Sequence, residues 1–328
     1  MVGFDGENFA VAYEKFDPTL NVYIYEARFI DIASGVVGPE VPLAYGPASS
    51  EVLVERAGLS HAALVIQGPD IVEDGAPQLE TPSSVNVVVF DDALVALPIV
   101  QVSESNANSF AAAGSPTENE LVLAFSQTSP RAVTGLRIAH DGASVTVGDA
   151  HEVGTPHAAA FVNATREAQH VLLGWSVPSD GQLIAPAMTF QRVDAFGQPN
   201  APHTTLTTAD ELEFLASDGS YALVGYRSMD DLLVRMKYSL GDYCGGPQTL
   251  IPASNARYQT RSDAVGIGSR AYQVTYSRFD PSTGHHATFV RGVFDSTFGF
   301  SGNPECSCSP TDEIVGDGID QDCDGVDL

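Results

Sequence analysis

The octapeptide VAYEKFDP, Val11–Pro18, comes back near the far end of the chain as VTYSRFDP, Val274–Pro281. Position by position the two copies share a valine, a small residue, a tyrosine, a polar residue, a base and then Phe-Asp-Pro. Two copies so far apart point to an internal repeat, and four further segments carry the same plan of an apolar run, a large side chain and polar turn residues. These are HAALVIQGPD with Ile66, ELVLAFSQTS with Phe125, HVLLGWSVPS with Trp175 and YALVGYRSMD with Tyr226. Counted from Tyr13 to Tyr276, the steps between the six large residues are 53, 59, 50, 51 and 50.

Each repeat also has an internal order. In the fifth, EFLASDGS (213–220) ends in a turn and YALVGYRS (221–228) is an apolar strand. After a turn at MDD, LLVRMKYSL (232–240) alternates more visibly, and GDYCGGPQTLIPAS supplies further turns and a short outer strand. Four strands in about fifty residues is the size of a propeller blade. The continuous apolar strand suits burial on both faces, and the polar outer strands suit a rim. No long helical pattern lies between the repeats, while 30 Gly and 20 Pro punctuate the turns. A pair of β-sandwiches would use strands of similar spacing, but the fifty-residue period favours the propeller. The expected fold is all-β: a six-bladed β-propeller over residues 1–303, closed where the last blade meets the first, followed by a Cys/Asp-rich tail over 304–328. The blades are expected near 1–50, 51–106, 107–155, 156–208, 209–256 and 257–303.

The chain has 328 residues with 42 acids against 15 Lys plus Arg, a net charge of −27, and 44% hydrophobic residues. That composition buries a large core. The negative surface repels phosphate backbones and excludes nucleic acid as a partner, while it attracts cations. No stretch reaches the roughly 18 uninterrupted apolar residues of a membrane span. The opening MVGFDGENFAVAYEK lacks a basic start followed by an apolar run. It does not read as a signal peptide, and the expectation is a mature form or a fragment.

Familiar catalytic signatures are missing from the sequence: there is no Gly-x-Ser-x-Gly, no His-Glu-x-x-His and no phosphate loop. The Ser-x-Asp-x-Gly-x-Thr-Trp boxes of sialidase-like propellers and the marks of WD40 blades are missing too. Candidates for a ligand-binding face are His151, His157 and His203, the last two in Pro-His pairs near blade junctions. Asp17 and Asp280, each before a proline, suit turn capping through nearby backbone N–H groups.

The tail GDGIDQDCDGVDL, 316–328, alternates aspartates along a tight loop. Asp320, Asp322, Asp324 and the Val326 carbonyl offer four oxygens, Gly325 permits the sharp turn, and Asp317, Asp327 and water could complete a calcium shell. No glutamate closes the loop at the twelfth position, so the expected affinity is weak, about 10⁻⁴–10⁻³ M. Four cysteines, Cys244, Cys306, Cys308 and Cys323, fit two disulfides in an oxidising compartment, with three pairings open. The stretch Asp317–Gly325 resembles the short acidic metal-binding motif of myxobacterial surface and secreted proteins, and is similar to the aspartate-rich repeats of thrombospondin type 3. The resemblance covers about 15 residues and implies calcium binding and an extracellular or cell-surface home. It departs from the motif at Gly316, where the family carries its first cysteine, so Cys323 is left to pair with Cys306 or Cys308 or to stay free.

The functional expectation is a secreted or surface-exposed binding protein, non-enzymatic, with a glycan or protein ligand on one propeller face and calcium at the tail. The rival expectation is a propeller-type polysaccharide lyase or glycoside hydrolase working in the central pocket.

Overall fold

The structure is a computed structural model. It describes residues 2–4, 8–19, 22–31, 33–46, 51–57, 61–68, 84–90, 97–98, 100–102, 107–115, 119–128, 131–141, 143–156, 161–177, 187–200, 202, 204–206, 211–219, 221–228, 231–238, 243–251, 259–268, 271–280 and 285–294. Among these residues every regular element is a β-strand.

The strands form six antiparallel sheets, each built in chain order. The first holds β1 (Val2–Phe4), β2 (Asn8–Asp17), β3 (Val22–Asp31) and β4 (Val41–Gly46). The second holds β5 (Glu51–Ala57), β6 (His61–Gly68), β7 (Ser84–Val89) and β8 (Val100–Gln101). In the third, β9 (Ala107–Gly114), β10 (Glu120–Thr128) and β11 (Arg131–His140) are followed by β12 (Val145–Val147) and β13 (His151–Gly154), which both pair with β11. The fourth holds β14 (Phe161–Arg166), β15 (Val171–Val177), β16 (Ala187–Val193) and β17 (Thr204–Leu206). The fifth holds β18 (Glu211–Ser217), β19 (Tyr221–Ser228), β20 (Asp231–Tyr238) and β21 (Tyr243–Ile251), and the sixth β22 (Gln259–Gly268), β23 (Ala271–Asp280) and β24 (His285–Phe294).

Each sheet lies inside one of the six expected intervals. The six repeat residues, Tyr13, Ile66, Phe125, Trp175, Tyr226 and Tyr276, all fall on the second strand of their sheet. Burial explains why that strand carries the period. In β10 residues Leu121–Ser126 are buried without a break, as are Val171–Ser176 in β15 and Tyr221–Tyr226 in β19. A strand covered on both faces has no polar side to alternate with, so it reads as a continuous apolar run. The hairpin after β2 is closed by Asp17, whose Oδ1 accepts a bond from Thr19 N at 2.7 Å. This is the turn-capping role its place before Pro18 predicts.

The chain divides into two compact units, one of residues 1–162 with 193–199, the other of 163–192 with 200–328. In the first unit β1 meets β5 and β5 meets β9. Its core packs Val85, Val87, Val89, Phe110, Leu121, Leu123, Phe125, Leu136 and Ile138 together, and Phe29 meets Phe90 edge to face at 4.9 Å. The Val162 amide donates to Ser109 Oγ at 3.1 Å. In the second unit β18 meets β22, and one core joins Phe214, Tyr221, Leu223, Leu232 and Val234 to Tyr272, Val274 and Val293. Tyr272 is fully buried there, and its hydroxyl donates to the Tyr221 carbonyl at 2.9 Å. A buried phenol needs such a partner, because the bare hydroxyl would cost about 1–3 kcal/mol. First strand thus meets first strand between the first and second, second and third, and fifth and sixth sheets, whereas β18 meets the second strand of the fourth sheet, β15.

Candidate functional site

The first strands are not smooth. Opposite β10, β9 carries a bulge where Ser126 faces Ser109 and Gln127 faces Ala107. Opposite β19, β18 has a bulge where Leu212 faces Tyr226 and Phe214 faces Gly225, so Glu213 is the extra residue. In β22 the register slips between Gln259 and Ser262. A bulge bends its strand and re-aims side chains, and bulges are frequent beside binding and active sites.

Two of these bulges bring polar groups together in the second unit. Ser262 Oγ donates to Glu213 Oε2 at 3.0 Å, across the two first strands. Arg227 of β19 forms an ion pair with the same carboxylate. The Glu213 side chain is only 10% exposed and that of Arg227 33%, so the pair sits largely out of water, where charge-assisted bonds are strong and orienting. Next to Ser262, Asp263 is open to solvent yet recessed among protein atoms. Crowding raises its carboxyl above the usual aspartate range, against the pull of the Ala264 amide, which donates to its Oδ1 at 2.8 Å. Carboxylate, guanidinium and hydroxyl in one place match a ligand rich in hydroxyl groups. A carboxyl that holds its proton unusually well is also suited to general acid chemistry.

A second cluster belongs to the first unit. The turn Asp194–Gln198 is closed by Asp194 Oδ1, which accepts from the amides of Phe196 at 2.8 Å and Gln198 at 3.0 Å. Gly197 rests on β11 with φ +80°, where a Cβ would lie 2.7 Å from Leu136 N. This holds the Phe196 ring 5.4 Å from the Arg137 guanidinium, which is paired with Glu120. Phe196 remains 54% exposed.

A third cluster lies on the first sheet. The Tyr13 hydroxyl donates to Glu40 Oε1 at 3.1 Å and accepts from Arg28 Nε at 3.3 Å, while Arg28 also pairs with Glu40. Desolvation, reinforced by the two glutamates Glu40 and Glu26, raises the Tyr13 phenol above its ordinary value. The Arg28 and Tyr13 bonds hold Glu40 below the usual carboxylate range.

Of the residues singled out in the sequence, His151 stands half-buried in β13, opposite Gly135 of β11. Gly135 is also where the Gly197 carbonyl packs, so His151 shares the neighbourhood of the second cluster. His157 and His203 lie outside the described residues, as do Cys306, Cys308, Cys323 and the whole calcium motif, Asp317, Asp320, Asp322, Asp324, Val326 and Asp327. Cys244 is in β21, in register with Met236. Among the described residues no three His, Cys, Asp or Glu side chains are grouped to hold a metal ion. Glu213, Ser262 and Phe196 were not singled out from sequence. Glu213 left a trace as an acid between the apolar Leu212 and Phe214 of β18, and Phe196 as the aromatic in an Asp-x-x-Gly turn.

The chain is similar to the β-propeller domain of the Trilobed protease from Pyrococcus furiosus, with a TM-score of 0.52, 10% identity and coverage of 89% of this chain and 83% of that one. The fold is that of a β-propeller. Other propeller-like neighbours are the SapL1 lectin in complex with alpha methyl fucoside (TM-score 0.50, 11% identity, 90% and 93% coverage) and the polysaccharide lyase Uly1 (0.52, 8%, 87% and 77%). No protein-family model matches the chain, and no curated protein matches it. Glu213 lies on β18, and Ser262 and Asp263 lie on β22, each the first strand of its sheet. Among the described residues no helix is long and apolar enough to cross a membrane.

Proposed function

We propose that the six sheets are the blades of one six-bladed propeller, and that the protein is a secreted or cell-surface binder of a glycan or protein ligand. A glycan is the better fit. The observation that carries this is the Ser262–Glu213 bond, made between two first strands at their bulges, with Arg227 on the same carboxylate. A bulge that turns a polar side chain toward the neighbouring first strand is a local departure from regular pairing, and such departures gather at functional sites. The six-bladed reading rests on the fifty-residue period and on the far face of the last sheet. That face exposes Val265, Ile267, Val290 and Phe294, each at least half exposed. A following blade would cover such a surface, which is unusual on its own.

The acidic tail, on this reading, binds calcium through Asp317, Asp320, Asp322, Asp324, Asp327 and the Val326 carbonyl, tied by a Cys323 disulfide to Cys306 or Cys308. Both features suit an oxidising, calcium-rich exterior.

Asp263 favours a second reading, a polysaccharide lyase or glycoside hydrolase. Its carboxyl, raised by crowding, is the kind of group that donates a proton to a leaving oxygen. One experiment separates the two. The full chain is screened on a glycan array, the best ligand is titrated by calorimetry, and the same mixture is assayed for new reducing ends and for unsaturated uronate. Binding without products, weakened in Glu213→Gln and Ser262→Ala, supports the binder. Products that disappear in Asp263→Asn support the enzyme. No binding to any glycan refutes the glycan assignment.

A further inference from the structure

Phe196 is an apolar ring in water, and the protein goes to some length to keep it in one place. Single exposed aromatics are common on protein surfaces and need no explanation by themselves. Here three independent constraints act on one side chain. Asp194 Oδ1 ties down the amides of Phe196 and Gln198. Gly197 presses its backbone onto β11, with no space for a Cβ between it and Leu136. The ring itself lies over the Arg137 guanidinium, whose own orientation is set by Glu120. The loss of freedom that a ligand would otherwise impose on a surface ring has already been met in folding.

We infer that the exposed face of Phe196 is a stacking platform for the C–H face of a neutral pyranose sugar, a second carbohydrate subsite separate from the Glu213–Ser262 set. The inference deepens the glycan-binding reading and rests on it. The ring geometry decides the chemistry. An aromatic ring has a negative face and a positive edge. The axial C–H bonds of a pyranose present a weakly positive, apolar patch that matches such a face, while its rim of hydroxyls needs polar neighbours. Asp194 and Gln198 flank Phe196 in the turn, and His151 stands on β13, the strand beside β11, against which Gly197 packs.

Charge removes the other ligand classes. Arg137 already occupies one face of the ring, and its positive field opposes a second cation on the other, so an ammonium or guanidinium ligand is disfavoured. The chain carries −27 overall, which repels uronates and sulfated sugars. A large apolar partner is disfavoured because the platform is one ring rimmed by polar groups, well short of the continuous patch such partners need.

The test is read at the ring itself. The full chain is prepared with ring-labelled phenylalanine, and the Phe196 signals are assigned as those lost in Phe196→Ala. Methyl β-glucopyranoside, methyl β-galactopyranoside, glucuronic acid and lysine amide are titrated in turn, with calorimetry alongside. Saturable shifts of the Phe196 signals with a neutral glycoside and not with glucuronic acid or lysine amide are expected. Phe196→Trp should keep the calorimetric affinity at this subsite, and Phe196→Ala should lose about tenfold or more. Shifts produced by glucuronic acid or lysine amide would overturn the assignment, as would a Phe196 signal unmoved by all four probes. A neutral glycoside that binds by calorimetry while leaving Phe196 unmoved overturns this subsite alone and leaves the glycan-binding reading standing. No binding by either readout counts against both.

Discussion

Replacing Gly197 with alanine tests the packing that holds the Phe196 turn. The new Cβ would lie 2.7 Å from Leu136 N, 2.8 Å from Gly135 C and 3.0 Å from Leu136 Cα. All three are backbone atoms of a strand paired along its length with β10, so they cannot swing aside as a side-chain tip could. Two costs follow. Holding a non-glycine residue at a left-handed φ costs about 1–3 kcal/mol, and overpacking against fixed atoms costs about 1–3 kcal/mol more. The turn can escape part of this by lifting off β11, but it then gives up the cation–π contact, worth about 0.5–1 kcal/mol. The expected loss is about 2–4 kcal/mol. Gly219 supplies the control: its φ is +104°, but nothing lies within 4 Å of its Cβ position. Gly219→Ala should therefore show the backbone cost alone, about 1–3 kcal/mol. Urea unfolding with a fitted m-value measures both. The reasoning is refuted if Gly197→Ala is no less stable than Gly219→Ala, or if its Phe196 ring signals stay where they are in the parent.

Three other outcomes are expected. Arg192 and Glu167 form an ion pair at 2.9 Å with side chains 6% and 2% exposed, so Glu167→Gln should lower stability by about 3–5 kcal/mol, whereas the double change Glu167→Leu with Arg192→Met should lose much less; equal losses in thermal unfolding would contradict this. Asp263 has a folded-state carboxyl raised by crowding, so the protonated form favours the fold and stability falls as pH rises through that raised value. Asp263→Asn should accordingly melt higher than the parent at neutral pH and match it at pH below the usual aspartate range, and a gain of the same size at both would refute the assignment. Millimolar calcium should raise the melting temperature in a chelator-reversible way, and the combined change Asp320→Ala with Asp322→Ala should abolish the rise; an identical rise in that variant would place any calcium elsewhere.

The apolar runs of the repeat were legible because second strands such as β10, β15 and β19 are buried on both faces, and burial restricts those positions to apolar residues of similar size. The octapeptide match has another origin: it falls on β2 and β23, where Lys15 and Phe16 are exposed and Asp17 closes the turn that follows. The third sheet was less regular than the sequence suggested, since its outer edge is split between β12 and β13. The site was much harder to read. Glu213 and Ser262 are ordinary residues 49 positions apart until two bulges turn them toward each other. A bulge is a matter of one extra residue against the opposite strand, and nothing in the local pattern of β18 or β22 announces it. Phe196 was hidden differently: an Asp-x-x-Gly turn is visible in sequence, but its landing on Gly135 and Leu136 is not. His151 could be seen beside the Phe196 turn only once β13 was paired with β11.

Hydrogen exchange of the full chain with and without its best glycan reads out whether the Glu213–Ser262 set touches the ligand. The first strands lie at one edge of their sheets, so their outward amides respond to a bound ligand. The account predicts new protection concentrated in Glu211–Ser217 and Gln259–Gly268. Protection that leaves both strands unchanged and falls elsewhere in the chain would contradict it.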